Sequence, residues 1–372
     1  MGVPTVTMFR RALVGILPRA AGAYPVRMRS AHGGVLPPPS LGRWFTSWQL
    51  EPGVLIPLLL VLALYLWGVL RVARRHPNRP WPKTRTGLFV AGLAVVGYST
   101  MAILGVYDDA LFWMHMVQHL ALIMVAPALL VGGRPIILAM HASRNPLHGW
   151  IRRVVRSRIV TAITCPPIAA ALYAVVIVAT HLTGLMTVVM THRWAHDGEH
   201  LLYLVAGYLY FLPIVGDEPI RWRPSHAARL MLVLFTMPVD TFTGIALMTT
   251  NRPTAGMDHM QPRSWGPSML SDLHTGGAVM WVVGDGLMLV LILVAFAAWA
   301  REGDSRGRSG LGWMERAREQ TLAARTAAPS AAVATGRRLP SADDDDALAA
   351  YNAWLGRLAG RDDQPNRRDI RR

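Results

Sequence analysis

Histidine and methionine recur in this 372-residue sequence at spacings that suit metal ligation. His115 and His119 stand four apart in Phe112-Trp113-Met114-His115-Met116-Val117-Gln118-His119, which places both on one face of a helix. His181 ends a later apolar run, His196 and His200 frame His196-Asp197-Gly198-Glu199-His200, and His274 lies in Asp272-Leu273-His274 at the start of the last apolar run. Imidazole serves copper, zinc, iron and nickel, whereas thioether selects copper(I). Cys165 is the one cysteine, so neither an internal disulfide nor a thiolate cluster can form within the chain. A metal site must then be built from histidine, methionine and carboxylate. His115, His119, His181, His200 and His274 are the first-choice ligands, with His196, Met116 and Met186 in reserve.

What must position these residues is a membrane bundle. Residues are 52% hydrophobic and 16% charged, against about 25% charged in an ordinary soluble chain. Runs long enough to span a bilayer are expected at Val54 to Leu70, Thr86 to Val106, Leu111 to Val131, Pro166 to Met186, His196 to Gly216, Ala227 to Thr249 and Leu273 to Ala300. The predicted fold is thus an all-α polytopic bundle of seven transmembrane helices. The loops after spans one, three and five carry Arg71, Arg74, Arg75, Arg79, Lys83 and Arg85, then Arg134, Arg144, Arg152, Arg153, Arg156 and Arg158, then Arg221, Arg223 and Arg229. The opposite loops carry Arg193, Arg252 and Arg263. That asymmetry predicts a cytoplasmic C-terminus and an external N-terminus. The six arginines before Trp44 oppose this, and a start at Met28 would remove most of the conflict. The formal net charge of +16 follows from the same loops and from anionic lipid, so no nucleic-acid partner is expected.

In this topology the candidate histidines, supplied by different spans, all fall in the outer third of the bundle. Met114, Met116, Met186, Met190, Met248, Met257, Met260 and Met269 map to the same side. Polar side chains are costly in a bilayer and face a cavity or a partner. Each signal also has a plain structural reading. An isolated His181 can bond a neighbouring carbonyl, most methionines serve as packing, and loop residues His192 and His259 are ordinary solvated histidines. His76, His141, His148 and His226 are placed on the cytoplasmic side and given no role. Asp240 and Asp285 lie deep in spans six and seven, as helix-to-helix bonds or as an ion or proton path. Asp108 and Asp109 suit helix capping as well as cation attraction. Three regions are expected: a proline-rich and interfacial arm at 1–49, the bundle at 50–302, and a mostly disordered tail at 303–372 with an amphipathic segment from Ala347 to Leu358. The short apolar run Ala12 to Leu17 is not read as a signal peptide.

At these residues the chain resembles the multi-pass CtaG family, assembly factors for caa3-type cytochrome c oxidase in bacteria. The resemblance rests on Met114 to His119, Ala126-Pro127-Ala128-Leu129-Leu130, Gly133-Arg134-Pro135, the His181 segment, His196 to His200, and Asp272-Leu273-His274-Thr275-Gly276-Gly277 with Trp281. It covers roughly residues 50 to 300. It implies a plasma-membrane protein that helps mature the oxidase. Together with the His and Met donors, this gives a copper(I) site passing its ion to an oxidase subunit or a copper chaperone. No nucleophile–base pair or phosphate loop is present, so no enzyme activity is expected. Two alternatives stay open: a haem-binding electron carrier ligated by His119 with His181 or His200, and a metal-ion or proton transporter using Asp240 and Asp285.

Overall fold

Apolar runs of bilayer length, two of them opened by proline (Pro52 and Pro166) where its missing N–H costs nothing, fold into a helical bundle. The computed structural model describes residues 36–215, 218–253 and 256–326. The expectations for Met28, the earlier arm and the Ala347 to Leu358 segment lie outside them. After a one-turn helix at Arg43–Thr46, the elements are α1 (Pro52–Arg75), α2 (Lys83–Met101), α3 (Ile103–Tyr107), α4 (Phe112–Leu120), a π-helical turn (Ala121–Val125) and α5 (Ala126–Gly132). Short helices α6 (Pro135–Ala142), α7 (Leu147–Val155) and α8 (Arg158–Ile163) follow. The chain continues as α9 (Pro166–Leu182), α10 (Leu185–Thr191), α11 (Arg193–Val215), α12 (His226–Thr249) and α13 (Met269–Thr326). Six helical stretches among the described residues are long and apolar enough to cross a membrane, or seven with α9 and α10 counted as one span. The chain divides into a unit ending at Leu293, which holds the whole candidate site, and a unit from Val294 onward.

The spans match the sequence pattern except at their interruptions. The expected straight helix from Pro166 to Met186 bends by 73° between α9 and α10. Thr183 explains the bend: its hydroxyl donates to the Ala179 carbonyl at 2.5 Å and accepts the Leu185 amide at 3.2 Å, competing with the helical ladder just before Gly184. The last helix does not end at Ala300 but runs on to Thr326. The arm's final residues are tied to the bundle, since Tyr107 donates to the Pro37 carbonyl at 2.8 Å and Tyr98 to that of Trp44 at 3.1 Å.

The π-helical turn begins two residues after His119 and packs on α11. A π-turn carries an extra residue and re-aims the helix faces on either side of it. Gly207 makes the contact possible, because a Cβ there would lie 2.0 Å from the Ile123 carbonyl oxygen. No side-chain rotation relieves a clash with backbone. Gly207→Ala is therefore expected to destabilise the bundle by at least about 1–3 kcal/mol, read as a lowered thermal midpoint in detergent.

Away from the histidines, Glu218 is buried and accepts the amides of Ile136 and Ile137 at 3.1 and 3.0 Å, capping α6. Burial pushes its carboxyl up to about 7, against those two bonds and the Arg134 and Arg85 charges. The folded protein thus holds this proton more tightly than an ordinary carboxyl near 4.5 does. The resulting stabilisation is whole below about pH 4.5 and is lost as pH rises towards about 7. Thermal midpoints measured across that window are expected to fall less steeply with pH in Glu218→Gln than in the parent.

Candidate metal centre

Two helices carry most of the site, each presenting one polar stripe. On α4, His115, Gln118 and His119 share a face; on α11, His196, Glu199, His200 and Tyr203 recur at intervals of three and four. The stripes meet. Glu199 lies between the two α4 imidazoles, its Oε2 at 3.3 Å from His119 Nε2 and 3.7 Å from His115 Nε2. His196 Nε2 is 3.6 Å from Asp108 Oδ2, in the turn leading into α4. The His115 ring centroid is 4.1 Å from that of His119 and 5.7 Å from that of His196, and His196 and His200 are 4.5 Å apart.

Three donor groupings arise, each with ligand atoms within 4.8 Å of one another: Asp108, His115 and His196; His115, His119 and Glu199; and His196, Asp197 and His200. His115 belongs to two of them and is fully buried. Burial pushes the Asp108 carboxyl up to about 7, while the His196 imidazole and the Gln118 amide, donating at 3.1 Å, pull it back. Both ring nitrogens of His115 and of His119, Nε2 of His196 and His200, and both Glu199 oxygens are buried without a hydrogen-bond partner. At about 1–3 kcal/mol for each unsatisfied atom, that cost rivals the net stability of a whole domain. Ion-pair contacts reach three of the imidazole Nε2 atoms and Glu199 Oε2, which leaves His115 Nδ1, His119 Nδ1, His200 Nε2 and Glu199 Oε1 with no partner of either kind. A cation held by several at once satisfies them together, and the donor set fits copper or zinc.

His181 joins the cluster from α9, its ring 5.4 Å from that of His119 and its Nε2 3.2 Å from Met116 Sδ. Met186 is buried in the core on α10. His274 is placed differently: its Nε2 lies 2.9 Å from the Thr250 carbonyl, which occupies that nitrogen. Asp240 accepts the Tyr173 hydroxyl at 3.1 Å, and Asp285 accepts that of Thr241 at 2.7 Å. Glu199 was not singled out in the sequence, yet it is the centre of the arrangement. Its spacing from His196 and Tyr203 on one helical stripe was the available signal.

Asp272, two residues before His274, holds the site's entrance in place. Its carboxylate accepts the amides of Phe112 (2.9 Å) and Trp113 (3.2 Å) at the start of α4 and pairs with Arg263 at 3.0 Å. Arg263 also donates to the carbonyls of Ala110 and Trp265. Removing the carboxylate uncaps α4 and strips a largely buried guanidinium of its counter-charge. Asp272→Ala is expected to cost about 2–4 kcal/mol in unfolding free energy, with Asp272→Asn intermediate, measured by denaturant titration in detergent.

The fold and cluster define a multi-pass helical membrane protein with a buried imidazole–carboxylate centre. Residues 63–302 match the family described as the cytochrome c oxidase caa3 assembly factor, and the chain belongs to that family. It is 27% identical over 330 residues to an uncharacterized protein of Mycobacterium leprae and 26% identical over 330 residues to one of Mycobacterium bovis. Each comparison covers 87% of this chain and 46% of the relative, so the chain spans about half the length of the curated relatives it matches. No solved structure matches it.

Proposed function

We propose that this protein assists assembly of a caa3-type oxidase by holding copper as cargo at the cluster and releasing it to an oxidase subunit or a soluble copper chaperone. The reading rests on one observation above all, the buried donor atoms of His115, His119, His196, Glu199 and His200 that have no hydrogen-bond partner and meet carboxylates only in the contacts of 3.3–3.7 Å to Glu199 and Asp108. His115, His119 and Glu199 are the core ligands, with Asp108 and His196 at the loop end where an ion enters. The arginine asymmetry of the loops supports an extracytoplasmic position for that end. Imidazole favours copper and zinc over harder ions, and nearby Met116 inclines the set towards copper(I).

The test is elemental analysis of detergent-purified protein loaded with copper(I) under reducing conditions. Near-stoichiometric copper is expected, lost in the His115→Ala, His119→Ala double variant and weakened in Glu199→Gln. Absence of copper from the loaded parent would falsify the carrier reading, and a visible haem absorption band would reassign the imidazoles to an electron carrier.

A further inference from the structure

Donor groups surround His119 on two sides, with carboxylate on each. On one side lie the carboxylates Glu199 and Asp108 with their imidazoles. On the other is a small internal cavity, lined by Met116, His119, His181, Tyr203, Asp240 and Met280 among others. Its room is of the order of one water molecule or one ion. Two thioethers and two imidazoles make this lining soft, and Asp240, whose Oδ1 has no hydrogen-bond partner, adds one carboxylate to it.

The orientation of His181 sharpens the point. Its Nδ1 lies 2.8 Å from the Ile177 carbonyl oxygen, which can only accept, so the ring proton belongs on Nδ1. Nε2 of the neutral ring then presents a lone pair, and its neighbour at 3.2 Å is Met116 Sδ, whose thioether has no proton to give. Two lone pairs facing each other gain nothing alone, and a cation between them gains both. Metal bonds of about 2.0–2.1 Å to nitrogen and about 2.3 Å to sulfur, taking zinc as the yardstick, together exceed the 3.2 Å gap, so an ion bound by both atoms stands to one side of the line between them. A ligating histidine whose other nitrogen donates to a backbone carbonyl is also the arrangement that fixes tautomer and ring angle at metal sites. Met116 is held there by the close approach of α13, since a Cβ on Gly276 would come within 2.5 Å of the Phe112 ring and 3.1 Å of Met116 Cγ.

We propose that this pocket is a second metal position, selective for a soft monovalent cation such as copper(I) or silver(I), with His119 common to both positions. It rests on the metal-carrier reading and deepens it. The set near the loop, with Glu199 and Asp108, receives the ion, and the thioethers of Met116 and Met280 with His181 hold it in the pocket.

X-ray absorption at the copper edge tests this on the full-length protein, loaded anaerobically with copper(I) and freed of excess. A sulfur shell around copper is expected in the parent. It should vanish in the Met116→Leu, Met280→Leu double variant, leaving nitrogen and oxygen neighbours, and should persist in Glu199→Gln. Copper bound in the parent with no sulfur neighbour overturns the second position and leaves the carrier reading standing. Loss of the sulfur shell in Glu199→Gln overturns the separation into two positions. A parent that binds no copper overturns the carrier reading and the second position with it. The parent spectrum decides even if the double variant does not fold.

Discussion

One carboxylate shared by two buried imidazoles is the constraint around which this bundle is arranged. Glu199 reaches between His115 and His119 at 3.7 and 3.3 Å, with its own side chain almost wholly removed from solvent. A charge in such surroundings is strongly penalised unless compensated. The neighbouring helices are shaped to permit this contact. The π-turn after His119 re-aims α4 and α5 against α11, and Gly207 lets the two backbones touch. Asp272 fixes where α4 begins, and so where His115 sits along it. The bend after His181 ends α9 at the depth of the cluster and lets α10 turn across, rather than carrying the chain past it.

Much of this was legible in the sequence, because bilayer-length apolar runs announce themselves and histidines within them stand out. The spans, and the convergence of His115, His119, His181, His196 and His200, followed from hydropathy and a depth argument alone. The departures are local and share a cause: they depend on backbone groups that pattern does not register. Thr183 bends its helix by bonding a carbonyl in its own chain, and the π-turn arises in Ala121–Val125, an apolar run like its neighbours. His274 had the right residue type and depth but faces the Thr250 carbonyl, a matter of helix rotation that loop charge and span length leave undetermined. Glu199 was overlooked for a different reason. Carboxylates beside histidines near a span end read as ordinary solvated ends, and only the packing of α4 on α11 distinguishes this one.

The opposite end of the bundle uses the same device for a structural purpose. Glu218 is as buried as Glu199, yet two backbone amides satisfy its oxygens and arginines stand nearby. Tyr65 adds a hydroxyl bond to the Gly133 carbonyl, and the Trp81 indole donates to Tyr65, so polar atoms there are paired in sequence. The contrast is informative because both carboxylates pay a similar burial cost. Where the protein needs a carboxylate for architecture it supplies donors; around Glu199 it supplies imidazoles whose nitrogens have no other partner.

Charge balance then bears on the valence of the ion such a centre would hold. Placing net charge in a medium of low dielectric is expensive, so the most favourable complex is close to neutral. A monovalent ion among His115, His119 and Glu199, with neutral imidazoles and an ionised carboxylate, makes a neutral assembly. A divalent ion leaves one positive charge uncompensated unless the carboxylate of Asp108 joins the set. Beyond His119, Asp240 is the carboxylate that lines the cavity, and one of its oxygens already takes the Tyr173 hydroxyl. Electrostatics and donor softness thus favour the same occupant: with Asp240 as its one carboxylate and two thioethers in its lining, the inner pocket suits a single charge and a polarisable shell.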